Sequence, residues 1–234
     1  MSAPGWYTDP WDGALLRWWD GTAWTPVTQP APAWKPITGL VPWVVTGLLA
    51  TSLLRLFAGP GDPQSDGRQV LLSVVAGLAG LATGVLWLVW FQRAYHDAGL
   101  LWPIRFRDWA VLGWLIPVLS LWRPKQMAND LWTAGDPHAE RYTTPRGVSG
   151  LVHWWWAAYV AGGFIAIAAA IQVVVARSEG RPRPTGLVLT SQVVYAAAGV
   201  LAVLFVRRAT ERLEARRQSA LVTPPSTGTT QPVT

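Results

Sequence analysis

Four long stretches of the chain carry no charged side chain, at positions 36–54, 69–92, 147–176 and 184–206. Each reaches or exceeds the ~18 residues that a helix needs to cross hydrocarbon. They predict spans at about 37–58, 69–92, 150–176 and 185–207. A fifth apolar stretch, Trp109 to Trp122, holds fourteen uncharged residues with Pro117 in its middle. As a helix it would reach only about 21 Å against a ~30 Å core, and the proline removes a backbone donor halfway. Residues 108–122 are therefore expected to form a re-entrant or interfacial segment. The fold class that follows is an all-α membrane bundle, four transmembrane helices plus that segment, with a small Trp-rich β-hairpin module at the N-terminus.

Charge gives an independent test of the fifth stretch. With the N-terminus cytoplasmic and four spans, fourteen Lys and Arg residues fall inside and five outside; a fifth crossing changes this to eight against eleven. The positive-inside rule prefers four spans with both termini cytoplasmic in the cell (inner) membrane. The basic loop "RSEGRPRPTG" then lies on the unfavoured side. Twelve tryptophans, from Trp34 to the run Trp154, Trp155, Trp156, are expected at or near the inner headgroup level, where amphipathic rings collect.

Composition agrees: apolar residues make up 51% and charged residues 14%, against roughly 25% charged in soluble domains. The absence of cysteine excludes disulfides, thiolate metal sites and cysteine nucleophiles. The first residues lack the basic start and apolar core of a leader, so the first span is expected to act as an uncleaved anchor. The formal charge of +6 is spread over helix ends and short loops, which suits anionic lipid and not nucleic acid. No cofactor is implied.

Four regions are expected: a Trp-rich β module at 1–28, a Pro-rich semi-rigid linker at 29–36, the membrane domain at 37–217 and a disordered tail at 218–234. Within "LLRWWDGTAWT" the Asp20-Gly21 pair is a two-residue hairpin signal. Pairing across it sets Trp19 opposite Thr22, Trp18 opposite Ala23 and Arg17 opposite Trp24, with a cation-π contact expected in the last pair. So small a unit must build its core from aromatics. The plain reading of Trp6, Tyr7, Trp18, Trp19 and Trp24 is that core. The functional reading is a partner-binding aromatic face for a cytoplasmic protein or Pro-rich peptide, and the chain's own "TQPAPAWKP" and "VTPPST" have that character.

Arg93 and Asp97 stand one helical turn apart and are expected to pair, with His96 beside them. The sharper reading is a lipid-headgroup or proton site; Arg105, Arg107, Arg123 and Lys125, which bracket the short segment and its Pro117, could likewise grip lipid phosphates. Small residues at four-residue spacing, Ala76, Gly80 and Gly84, then Ala158, Gly162, Ala166 and Ala170, predict close helix packing. Oligomeric state stays open. Neither a catalytic nor a metal motif is present. The expected function is a non-enzymatic scaffold whose module recruits a protein; the alternative is a small transporter or lipid-handling protein that uses the re-entrant segment.

The string "PGWYTDPWDGALLRWWDGTAWT" resembles the Trp-rich module named domain of unknown function 2510. The stretch "WLVWFQRAYHDAGLL" with "WAVLGWLIPVLSLWRPKQMANDLW" resembles domain of unknown function 4328, whose pattern joins a helix-end Arg, a Trp-rich segment ending in Pro, and an "RP" step before Met and Leu-Trp. That similarity is expected to run from about 45 to 215, with Asp97 standing where the family pattern has Asn. The resemblance implies this membrane architecture and an actinobacterial source, and no activity.

Overall fold

The computed structural model describes residues 2–35, 37–56, 67–68, 70–106, 109–136, 149–182 and 184–225, and the backbone alone at 57, 58 and 69. Three strands come first: β1 (Gly5–Thr8), β2 (Leu15–Trp19) and β3 (Trp24–Pro30), an antiparallel sheet in the order β1-β2-β3. After a 3-10 turn at Thr38–Leu40 come α1 (Val41–Ala58) and α2 (Gly67–Leu101). The one-turn α3 (Leu112–Leu115), α4 (Arg123–Ala134), α5 (Gly150–Ser178) and α6 (Thr185–Val222) follow. Among the described residues four helices are long and apolar enough to cross a membrane, formed by α1 with its preceding turn, α2, α5 and α6.

The sheet corrects the expected hairpin in two ways. It has a third strand, β1, paired Trp6 to Trp18 and Tyr7 to Arg17. Its β2-β3 register is also different: Trp19 faces Trp24, and Arg17 faces Thr28. The turn is wider than two residues because the Asp20 carboxylate accepts hydrogen bonds from the amides of Thr22 and Ala23 at 2.7 and 2.8 Å. Gly21 supplies the positive φ of 103° that this loop requires. A register shift then falls between Arg17 and Trp19, opposite the part of β3 that contains Pro26, which has no amide to give to the ladder. Arg17 consequently lies over Trp11, 4.9 Å from its ring centre, and not over Trp24.

The fourteen-residue stretch does not cross as a helix. Ile116, immediately before Pro117, is extended (φ −81°, ψ 114°), the conformation that a following proline enforces. After one further 3-10 turn the chain enters α4, whose first turn tolerates Pro124. Trp114 is inserted against Trp87 and Phe91 of α2 and Trp155 of α5, while Leu115 and Val118 stay exposed.

That insertion belongs to a ring cluster at the centre of the bundle. Trp87 lies 5.5 Å from both Trp90 and Trp155, and Trp155 stacks flat on Phe205 at 5.1 Å. Several of the tryptophans expected at the headgroup level are thus core: Trp87, Trp90, Trp155 and Trp156 are buried, whereas Trp43, Trp109, Trp122 and Trp154 are exposed. Lipid tails do not drive helices together, so ring packing of this kind, about 0.5–1.5 kcal/mol per pair, carries weight here.

At 35 and 38 residues, α2 and α6 reach about 52 and 57 Å, well beyond a ~30 Å core. Leu213 and Arg216 of α6 are buried, so "RRATERLEARR" is a packed strut, not a helix lying on a surface. The helix also continues to Val222, past the boundary expected at 217. The remainder of the expected tail, from 226, lies outside the described residues.

The sheet docks on the far end of this strut. Trp6 Nε1 donates to the Thr223 carbonyl at 2.9 Å, and Leu221 packs on the small core of Trp6, Leu16 and Trp18. A chain whose beginning touches its last helix in this way crosses the bundle an even number of times. Cysteines introduced at exposed Gly13 and Gln218 should therefore react alike with a membrane-impermeant maleimide in vesicles, and opposite to one at Gly67; an unlike pair at 13 and 218 would contradict the fold. For the ring cluster, Trp155→Ala (3% exposed) should cost about 3–5 kcal/mol and lower the thermal midpoint in detergent. Trp154→Ala (68% exposed) should stay within about 0.5 kcal/mol.

Candidate functional site

Strand alternation gives the sheet two chemically different faces. Trp6, Leu16 and Trp18 point toward α6 and are buried. Tyr7, Trp19 and Trp24 share the other face: Trp24 makes edge contacts with Trp19 at 5.2 Å and Tyr7 at 6.2 Å. Tyr7 and Trp24 remain exposed and Trp19 half-buried. The five aromatics named from the sequence thus divide, two holding the module together and three presented outward.

Two carboxylates brace this face. Asp9 is buried, which pushes its carboxyl up, but the Trp11 amide, the Arg17 side chain at 2.9 Å and the Arg17 charge outweigh burial and hold it below the usual range. Asp20 is held low by the Ala23 amide and by the Thr22 hydroxyl and amide. Arg17 also donates to the Thr25 carbonyl at 3.0 Å, tying β2 to β3.

The interfacial candidates are distributed differently from expectation. Asp97 is buried, accepts the Lys35 amide at 2.9 Å and lies 3.2 Å from His96 Nδ1. Its described contacts are these and not an ion pair with Arg93, which is partnered in its own right. The carboxylate pins the linker to α2. Arg105 donates to Asp130 at 2.9 Å, Arg123 lies 4.2 Å from the Phe106 ring centre, and Lys125 Nζ donates to His153 Nδ1 at 3.1 Å. These three cations are engaged within the protein. Arg107 lies outside the described residues. Pro117 acts through its backbone, as described above.

Sequence reading gave Asp130 no role, yet it accepts Tyr95 Oη at 3.1 Å besides Arg105. Its position was a signal: Met127, Asp130, Leu131 and Ala134 share one buried helical stripe, and a carboxylate there needs partners. Arg216 follows the same logic, on the buried stripe of Val206, Ala209, Thr210 and Leu213. It donates to the carbonyls of Asp136 and Leu101, the latter left open by the end of α2. Three arginines of α6 lie over three tryptophans, Arg212 on Trp132 at 4.6 Å, Arg216 on Trp102 at 5.8 Å and Arg217 on Trp34 at 4.9 Å.

A second concavity lies within the bundle. A cavity of about 410 Å³ is bounded by α1, α2, α5 and α6, with Trp114 and Leu115 at its module side. Gly84, expected at a close helix contact, borders it, and a Cβ there would meet nothing within 4 Å. Close approach occurs at Gly162 against Tyr195, as expected, and also at Gly47 against Thr83 and Gly199 against Ser52.

The family described as "Domain of unknown function (DUF4328)" matches residues 63–211, and "Protein of unknown function (DUF2510)" matches residues 4–36. No curated protein and no solved structure matches the chain. The DUF2510 match covers the three strands and the linker to residue 36, and the longer match takes in α2 through most of α6, the ring cluster included. This membrane protein therefore belongs to the DUF4328 family and carries a region similar to DUF2510 at its N-terminus.

Proposed function

We propose that this protein is a non-enzymatic membrane scaffold whose Trp-rich module recruits a protein partner on the cytoplasmic side by gripping a Pro-rich segment. The observation that carries the reading is the outward cluster of Tyr7, Trp19 and Trp24 on a sheet whose other face is docked on α6. Exposed rings side by side on a three-stranded sheet suit a polyproline II helix, which arrives preformed and loses little entropy on binding. The chain's own Pro-rich stretches are committed elsewhere. Thr28 to Pro30 belong to β3 and Lys35 is bonded to Asp97, while Thr223 of "VTPPST" is held by Trp6 on the opposite face. A ligand in trans is therefore favoured over self-binding.

The cytoplasmic placement of the module rests on the fourteen-to-five distribution of Lys and Arg. In intact cells a thiol at Gly67 should react with the impermeant reagent and one at Gly13 only after permeabilisation; the reverse pattern removes the cytoplasmic partner. For the recruitment itself, full-length protein in detergent should bind a fluorescent polyproline peptide saturably, with Tyr7→Ala or Trp24→Ala weakening it about tenfold or more. Equal binding by wild type and both variants, or none by wild type, would exclude the Pro-rich ligand.

A further inference from the structure

Among the described residues, the bundle cavity holds a cation with no anion on its walls. Arg55 lies one turn from the end of α1, and its guanidinium turns into the bundle. The guanidinium carbon is 5.1 Å from the Tyr195 ring centre, and one nitrogen is 3.8 Å from where a Cβ on Gly80 would sit. Gly80 is twelve residues beyond Arg68 in α2 and Tyr195 ten beyond Thr185 in α6, about 15–18 Å along each helix. Arg55 lines the cavity while itself remaining exposed, so its guanidinium can be reached from outside the bundle. A charged side chain on a membrane-spanning helix is costly unless it is paired. Among the described residues no carboxylate lines the cavity.

The other polar groups divide into satisfied and unsatisfied. Thr51 and Thr83 bond each other at 2.9 Å, and Ser52 donates to the Leu48 carbonyl at 2.7 Å. Trp87 Nε1, Trp114 Nε1 and Gln192 Oε1 are buried without a partner, and all three residues line the cavity. Trp87 is 7% exposed. An indole N–H can only donate. The unused capacity of the walls is thus a guanidinium and two indole donors, with one amide oxygen. Tyr159 and Tyr195 add two hydroxyl-bearing rings, and the other walls are apolar or glycine.

We propose that this cavity binds an oxyanion-headed acyl lipid, its acidic head at Arg55 and its chain along the apolar walls toward Trp87 and Trp114. A carboxylate or phosphate oxygen supplies the counter-charge that the protein omits, and in hydrocarbon the anions at hand are lipids. The site is separate from the aromatic face of the module, so either reading stands or falls alone.

The test measures uptake of radiolabelled oleate and of dioleoylphosphatidylglycerol by the full chain in a nonionic detergent, with monoolein as the uncharged comparison. Saturable uptake of either anion, well above monoolein, is expected. Arg55→Gln should weaken it about tenfold or more, Arg55→Lys less, and Gly84→Leu should weaken it by filling space. Oleate alone identifies a fatty acid and phosphatidylglycerol alone a phospholipid; both support the site. Neither anion exceeding monoolein overturns it, as does undiminished uptake by Arg55→Gln and Gly84→Leu at unchanged thermal midpoint.

Discussion

The stacking of Trp155 on Phe205, with Trp87 against both, is the contact on which the other parts of the molecule depend. Within lipid, apolar helices have little reason to prefer each other over acyl chains, so shape-specific contact must supply the preference. These rings come from α2, α5 and α6, and Trp114 adds the short segment to them. The cluster therefore fixes where the broken segment inserts and what stands at one side of the cavity. It also holds α2 and α6 side by side, and Trp90 Nε1 donates to the Thr210 hydroxyl at 3.2 Å between them.

Past the membrane the packing changes character from ring on ring to cation on ring. Guanidinium groups are weakly hydrated and planar, and their stacking on indole keeps charge near water while covering apolar surface. Arg212, Arg216 and Arg217 each meet a tryptophan from a different segment, α4, the end of α2 and the linker. Arginines that entered the sequence reading only as a charge count thus hold this end of the bundle together.

Four spans and the break at Pro117 were legible in the sequence because both follow from local properties, an uncharged run of sufficient length and a residue that cannot continue a helix. The strand alternation that separates Trp6 and Trp18 from Tyr7 and Trp19 was legible for the same reason. The strand register was not: it turns on the hydrogen bonds of the Asp20 carboxylate and on a missing amide at Pro26, a competition that the Asp-Gly signal does not reveal. The partition of tryptophans between core and surface was also hidden, since Trp154 and Trp155 are adjacent and differ only in which side of α5 they occupy. Arg55 is the sharpest case. By position it is a charge at the last turn of α1, yet its head group lies 5.1 Å from the Tyr195 ring centre and lines the cavity.

The bond from Trp6 to the Thr223 carbonyl joins residues 217 positions apart. In synthesis the three strands precede α6 by most of the membrane domain, so they must wait for that helix before their inner face is covered. Until then Trp6 and Trp18 remain open to chaperones and proteases. Covering of the sheet's inner face is consequently tied to the folding of α6.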